Sequence, residues 1–181
     1  MKDSTYPTPQ DLRARLRQGL RFPELLERSR HASLLQRFLE EAPQEPLPDR
    51  VAWVLALVED WCPDCHQAIP VLAKAAGERA RFFFRDENPD LREAYRLGEK
   101  RIVPTLVFLD QDFGELARWH GPPEEAKAFF QARLQGRRPK ELSQEERKAL
   151  LQAYHEAFPR MARAMRAEWA RLLSQVSSPP G

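Results

Sequence analysis

The sequence predicts an α/β fold, a central mixed sheet flanked by helices, with helical extensions at both ends. Three observations predict it. Apolar runs at 51–58 and 102–109 are short and lack alternation, as in strands covered on both faces. Segments of helical period alternate with them, and the short turn 110–114 joins the last two strands as an antiparallel hairpin. Outside 50–136 the apolar residues recur only at helical spacing. The chain therefore divides into an N-terminal helical extension (1–49), a core (50–136) and a C-terminal helical extension (137–181).

After a short polar leader, Thr8-Pro9-Gln10-Asp11 reads as a cap, a first-turn proline and an acidic residue opening a helix to about residue 20. From 23 to 41, Leu25, Leu26, Leu35, Phe38 and Leu39 mark one amphipathic helix, with His31 on its surface among arginines. Pro43, Pro46 and Pro48 cannot sit in a helix interior and mark the boundary of the core. The strand 51–58 then leads into Trp61-Cys62-Pro63-Asp64-Cys65, from which a helix runs to about Gly77, kinked at Pro70. A strand over 81–85 carries Phe82, Phe83 and Phe84, and Asn88-Pro89-Asp90 starts a helix that ends at Gly98. The hairpin 102–109/115–119 follows, Gly121-Pro122-Pro123 resets the chain, and a helix spans 124–134.

Ser143 and Glu146 form a capping-box pattern ahead of Leu150, Tyr154, Phe158, Met161, Met165, Trp169, Leu172 and Val176, spaced by three and four. Pro159 should kink or split this helix. The stripe is expected to pack on the core or the N-terminal helices; its rival assignment is a homodimer or partner surface. Arg160, Arg163, Arg166 and Arg171 read as its solvated face, and 177–181 as a frayed end.

The 181 residues suit one domain with appended elements, and 42% hydrophobic with 31% charged residues describes a soluble globular chain. A net charge of +2 gives no electrostatic reason to expect nucleic acid or an anionic membrane as partner. With no export signal or bilayer-spanning apolar stretch to be read, a cytoplasmic location is expected. In a reducing compartment two cysteines at C-x-x-C spacing suit catalysis or metal binding better than a structural staple.

A helix starting at Cys62 places the first sulfur where unpaired backbone N–H groups and the helix dipole stabilise a thiolate, which makes Cys62 the nucleophile. Pro63 fits the first helical position. Cys65, nearly one turn on, is within reach of Cys62, so the pair can close a disulfide and reopen it. Cys62-Pro63-Asp64-Cys65-His66 is also, letter for letter, a c-type haem attachment motif, with Met161 and Met165 as conceivable axial ligands. The preceding buried strand and the lack of an export signal weigh against it. A zinc site on Cys62, Cys65 and His66 wants a fourth ligand, and His31, His120 and His155 are scattered along the chain. The expectation is no cofactor and no metal.

Residues 50–136 resemble the thioredoxin-like superfamily. The resemblance rests on the apolar strand into Trp61-Cys62-Pro63-Asp64-Cys65, the Asp86-Glu87-Asn88-Pro89 turn, and Val103-Pro104-Thr105 about forty residues after the second cysteine, where the family has its cis-proline. It implies a cis Val103-Pro104 bond and a groove formed by Trp61, Pro63, Val103, Pro104 and Thr105 that receives an extended substrate segment. It further implies a thiol-disulfide oxidoreductase in which Cys62 attacks a protein disulfide, Cys65 resolves the mixed disulfide, and an upstream dithiol restores the pair. The rival function is a redox-sensing adaptor in which the helical extensions hold a partner and turnover is small.

Two departures stand out. Where the family has a buried acid and its lysine partner on adjacent strands, this chain has Ala56 and Phe82, so Asp64, His66 and Glu59 become the candidates to modulate the thiols. Asp64 would oppose thiolate formation if close. His66 would favour it if protonated and do little if exposed, and Glu59 and Asp60 read as ordinary polar residues at the strand end. The dipeptide between the cysteines is Pro63-Asp64 where thioredoxins have Gly-Pro, so the direction of electron flow is left open.

Overall fold

The computed structural model describes residues 5–175; Val176 of the apolar stripe and the tail 177–181 lie outside the described residues. The elements in order are α1 (Pro9–Leu16), α2 (Phe22–Arg28), α3 (Ala32–Glu41), β1 (Trp53–Val58), α4 (Pro63–Ala76), β2 (Ala80–Phe84), α5 (Pro89–Ala94), β3 (Thr105–Leu109), β4 (Glu115–His120), α6 (Glu124–Leu134), α7 (Gln144–Glu156) and α8 (Phe158–Ser174), with short 3-10 turns between some of them. The sheet order is β2-β1-β3-β4. β1 and β2 are parallel, with Ala56 opposite Phe82, and the β1/β3 and β3/β4 pairs are antiparallel.

Because side chains alternate along a strand, the uniformly apolar runs supply both faces of the sheet. Val54, Ala56, Val58, Phe82, Phe84, Leu106 and Phe108 point to one face, where α2, α3, α4, α6, α7 and α8 pack. Leu55, Leu57, Phe83, Val107 and Leu109 point to the other, beneath Leu12 and Leu16 of α1, Leu91 of α5, and Tyr95. The first face is called proximal here because α4 carries the cysteines.

Several boundaries differ from the sequence reading, each for a local reason. The first helix stops at Leu16 so that Leu20 can pair with the outer edge of β2, its N–H donating to the Phe82 carbonyl (2.8 Å) and its carbonyl accepting the Phe82 N–H in return (2.7 Å). A Cβ on Gly19 would stand 2.8 Å from the Arg81 Cβ, so glycine permits this approach. That contact covers an edge open to other chains. The single helix expected over 23–41 is two. The Ser29 hydroxyl donates to Asp60 Oδ1 (2.6 Å) and the Arg30 N–H to Oδ2 (2.8 Å), drawing residues 29–31 out of helical pairing. β3 starts at Thr105 rather than 102, since Pro104 has no N–H for a ladder. The helix from Pro89 ends at Ala94, short of Gly98.

The C-terminal extension is split at Ala157, with Pro159 in the first turn of α8, where its missing N–H leaves no helical bond unmade. Its stripe packs on the core. Tyr154, Phe158, Met161, Met165 and Trp169 are all buried, with Trp169 edge-on to Trp119 at 5.5 Å. Arg160, Arg163 and Arg171 are exposed as expected, but Arg166 is half-buried and its Nη1 has no hydrogen-bond partner among the described residues. No helix among the described residues is long and apolar enough to cross a membrane.

Candidate active site

The end of β1 delivers the chain to Trp61 and Cys62, and Cys62 caps α4 in an extended conformation (φ −92°, ψ 117°) while its carbonyl accepts the N–H groups of Cys65 (3.0 Å) and His66 (3.1 Å). Pro63 takes the first helical position, and Gly77 ends the helix at a positive φ of 56°. Both thiols are free. Their surroundings differ: Cys62 keeps 7% of its surface exposed and Cys65 none. The Cys62 Sγ lies 3.9 Å from the Val103 carbonyl oxygen, next to the Val103-Pro104 peptide, which is cis.

The two thiols are driven apart in acidity. Cys62 is lowered, first by the Cys65 thiol donating to it and further by the backbone N–H groups of Cys65 and Asp64, against burial and the Asp64 charge. Cys65 is raised well above its ordinary value, first by burial and then by Cys62 itself, with the Asp64 charge adding and the Glu59 backbone opposing. The two thiols thus differ in both exposure and acidity.

Asp64, the second residue between the cysteines, is half-buried, and its Oδ1 accepts a 2.8 Å hydrogen bond from the hydroxyl of Tyr154 on α7. Burial raises the carboxyl and this bond pulls it back down. Tyr154 is fully buried, and its ring packs against Phe130 (4.6 Å) and Phe129 (5.5 Å) of α6. The buried Gln67 side chain donates to the Tyr154 carbonyl at 3.0 Å, while its Oε1 has no partner among the described residues. Tyr154 read as a core residue in the apolar stripe. The only local hint that its hydroxyl needs a partner was its being tyrosine rather than phenylalanine at a buried position.

The other expected modulators are occupied elsewhere. His66 is not an exposed side chain. It is buried, its Nε2 lies 2.6 Å from the Asp60 carbonyl oxygen, and its ring stands 4.1 Å from that of His31, with burial first among the causes that lower its pKa. His31 is correspondingly half-buried rather than a free surface residue. Glu59 is buried and raised by burial; its Oε2 accepts the Asp86 N–H at 2.8 Å, so the carboxylate caps the turn after β2, while its backbone bears on Cys65. Asp60 holds the α2–α3 break.

Of the residues expected to form a groove, Trp61 is 60% exposed, with the Arg85 guanidinium 5.7 Å from its ring centre, and Pro63 is half-buried. Val103 keeps 8% exposure and offers its carbonyl to Cys62. Pro104 is buried beside it. Thr105 does not line an open surface: its side chain is fully buried, its hydroxyl donates to the Ile102 carbonyl at 2.7 Å, and its Oγ1 is 2.9 Å from His120 Nδ1. It braces the loop from beneath. Gly121, which read only as a chain reset, presses on the same loop. Its N–H donates to the Pro104 carbonyl at 2.9 Å, and a Cβ there would sit 2.9 Å from Pro104 Cγ and 2.7 Å from Trp119 Cη2.

Among the described residues no three His, Cys, Asp or Glu side chains are arranged to hold a metal ion, and Met161 and Met165 lie in the proximal core.

The family profile described as Thioredoxin matches residues 24–135. No curated protein matches the chain. Among solved structures, the chain is similar to the crystal structure of an HIV epitope-scaffold, 17% identical with a TM-score of 0.56, the match covering 91% of this chain and 98% of that one. It is also similar to a protein of unknown function from Pseudomonas aeruginosa, 19% identical with a TM-score of 0.46, over 84% of this chain and 95% of that one. At 17% identity the first likeness is one of fold alone.

Proposed function

The chain belongs to the thioredoxin family and has its α/β fold, and on that premise we propose that it is a thiol-disulfide oxidoreductase acting on protein disulfides. The observation that carries this reading is the asymmetry of the pair: a slightly exposed, acidified Cys62 next to the Val103 carbonyl, and a sealed Cys65 whose thiol is held neutral. The Cys62 thiolate attacks one sulfur of a substrate disulfide, the substrate S–S bond breaks, and the other substrate sulfur leaves as a thiolate. Cys65 then gives up its proton and attacks the Cys62 sulfur; the Cys62–substrate bond breaks, the substrate leaves reduced, and Cys62–Cys65 is left oxidised. An upstream dithiol returns two electrons and two protons to the pair. The substrate segment lies against exposed Trp61 and the Val103–Pro104 loop. A reducing compartment such as the cytoplasm supplies such a dithiol.

The test is disulfide turnover in single-cysteine variants. Cys62→Ser should abolish it, and Cys65→Ser should accumulate a mixed disulfide. Retained turnover in Cys62→Ser, or failure of the wild-type pair to form an intramolecular disulfide at any glutathione poise, would overturn the reading; partner binding without turnover would assign an adaptor instead.

A further inference from the structure

Beneath the cysteines the paired strand positions are Ala56 and Phe82, both buried and neither ionisable. Yet resolution requires Cys65, fully buried, to lose a proton. The Glu59 carboxylate is engaged with Asp86, and His66 with Asp60 and His31. That leaves Asp64, in the first turn of α4 and next to Cys65 in sequence. Its Oδ1 is tied to Tyr154, while its Oδ2 accepts no hydrogen bond among the described residues.

We propose that Asp64, held in place by the Tyr154 hydroxyl of the C-terminal extension, is the base that takes the Cys65 proton during resolution, so that α7 forms part of the active site. The inference rests on the dithiol reading above. In the mixed disulfide the proton passes from Cys65 to the Asp64 carboxylate as the Cys65 sulfur bonds to Cys62; the carboxyl then returns it to the departing substrate thiolate or to solvent. Tyr154 keeps its own proton throughout and acts as a positioning residue. Burial and the Asp64 charge both raise the Tyr154 hydroxyl far above its ordinary value, consistent with a donor that does not ionise. The charge of Asp64 also raises both thiols. The position of Tyr154 is set at long range: Phe129 and Phe130 flank its ring, Gln67 of α4 holds its carbonyl, and the break before Pro159 ends α7 just beyond it.

Dithiobis(nitrobenzoate) separates the two chemical steps, because attack by Cys62 releases a first thionitrobenzoate and resolution by Cys65 releases a second. In Asp64→Asn the first release should persist and shift to lower pH, since a negative charge that raises Cys62 is gone. The second should slow about tenfold or more near neutral pH, the low end of what a positioned base contributes because solvent competes for the same proton. The deficit should vanish at alkaline pH, where solvent ionises Cys65. Tyr154→Phe keeps the ring and removes the bond that lowers Asp64, so the acid limb of the second release should move to higher pH. A purely structural role would slow both releases together and leave the pH profiles in place. A second release of unchanged rate and pH dependence in Asp64→Asn overturns the proposal. If the wild type itself gives no second release, the dithiol reading fails separately. The pair is then tested in Cys62→Ser, where Asp64→Asn must move alkylation of Cys65 to lower pH and an unmoved profile overturns it.

Discussion

The two faces of the sheet are both buried and chemically unlike. On the distal face α1 and α5 lay leucines over Leu55, Leu57, Phe83, Val107 and Leu109, together with Tyr95. On the proximal face an apolar core is threaded by buried polar groups that find specific partners: Gln67 with Tyr154, Tyr154 with Asp64, His66 with Asp60. Apolar burial is non-directional and needs only volume, whereas a buried polar group is costly unless a donor or acceptor meets it at hydrogen-bond distance. The difference teaches that the distal side holds the domain together while the proximal side also holds a geometry.

The largest effect should come from cutting each core in turn. Trp169→Ala on the proximal face should cost about 3–5 kcal/mol and Leu16→Ala on the distal face about 2–5 kcal/mol, both read by denaturant unfolding. The comparison then predicts that Trp169→Ala, by loosening α8 against α4 and β4, also changes the rate of Cys62 alkylation, and that Leu16→Ala does not. Equal changes in alkylation from both would break the distinction between the faces.

A smaller, pH-dependent effect should sharpen it. His66, His155 and His120 are each held below the ordinary histidine value, with burial as the first cause. The native state therefore binds fewer protons than the unfolded chain, and stability rises with pH across this window. Read downward, stability should begin to fall as pH drops through about 6.5 and continue through the depressed native values. His66→Gln should flatten the fall in Tm between about pH 7 and pH 5.5; a Tm in that range that His66→Gln leaves unaltered would remove His66 from the account.

The smallest effect marks the baseline outside both faces. Arg28 pairs with Glu87 at 2.5 Å, but the side chains are 47% and 54% exposed, and the Arg28 guanidinium lies 4.7 Å from the Phe84 ring centre. Arg28→Ala should therefore cost about 1 kcal/mol or less in thermal or denaturant unfolding.

What the sequence determined by itself was whatever neighbouring residues encode. Uniformly apolar runs announced doubly covered strands, Ser143 with Glu146 and Thr8 with Asp11 announced helix starts, and a cysteine followed by proline after a strand announced a thiol at a helix N-terminus. Each depends on interactions within about four residues, which side-chain spacing makes legible. The split of the expected helix 23–41 was not legible, because its cause, Asp60, is 30 residues from Arg30. Nor were the partners of the site. Tyr154 meets Asp64 across 90 residues, Cys62 meets Val103 across 41, and the His31 ring meets that of His66 at a tilt only because the α2–α3 break turns it there. In a helical stripe a tyrosine and a phenylalanine serve the apolar face alike, so beyond the presence of a hydroxyl nothing local shows which partner that hydroxyl holds. Only the packing of α7 against α4 decided that, because a hydrogen bond requires two groups within a few tenths of an ångström and sequence spacing does not set that distance once the chain has turned back on itself.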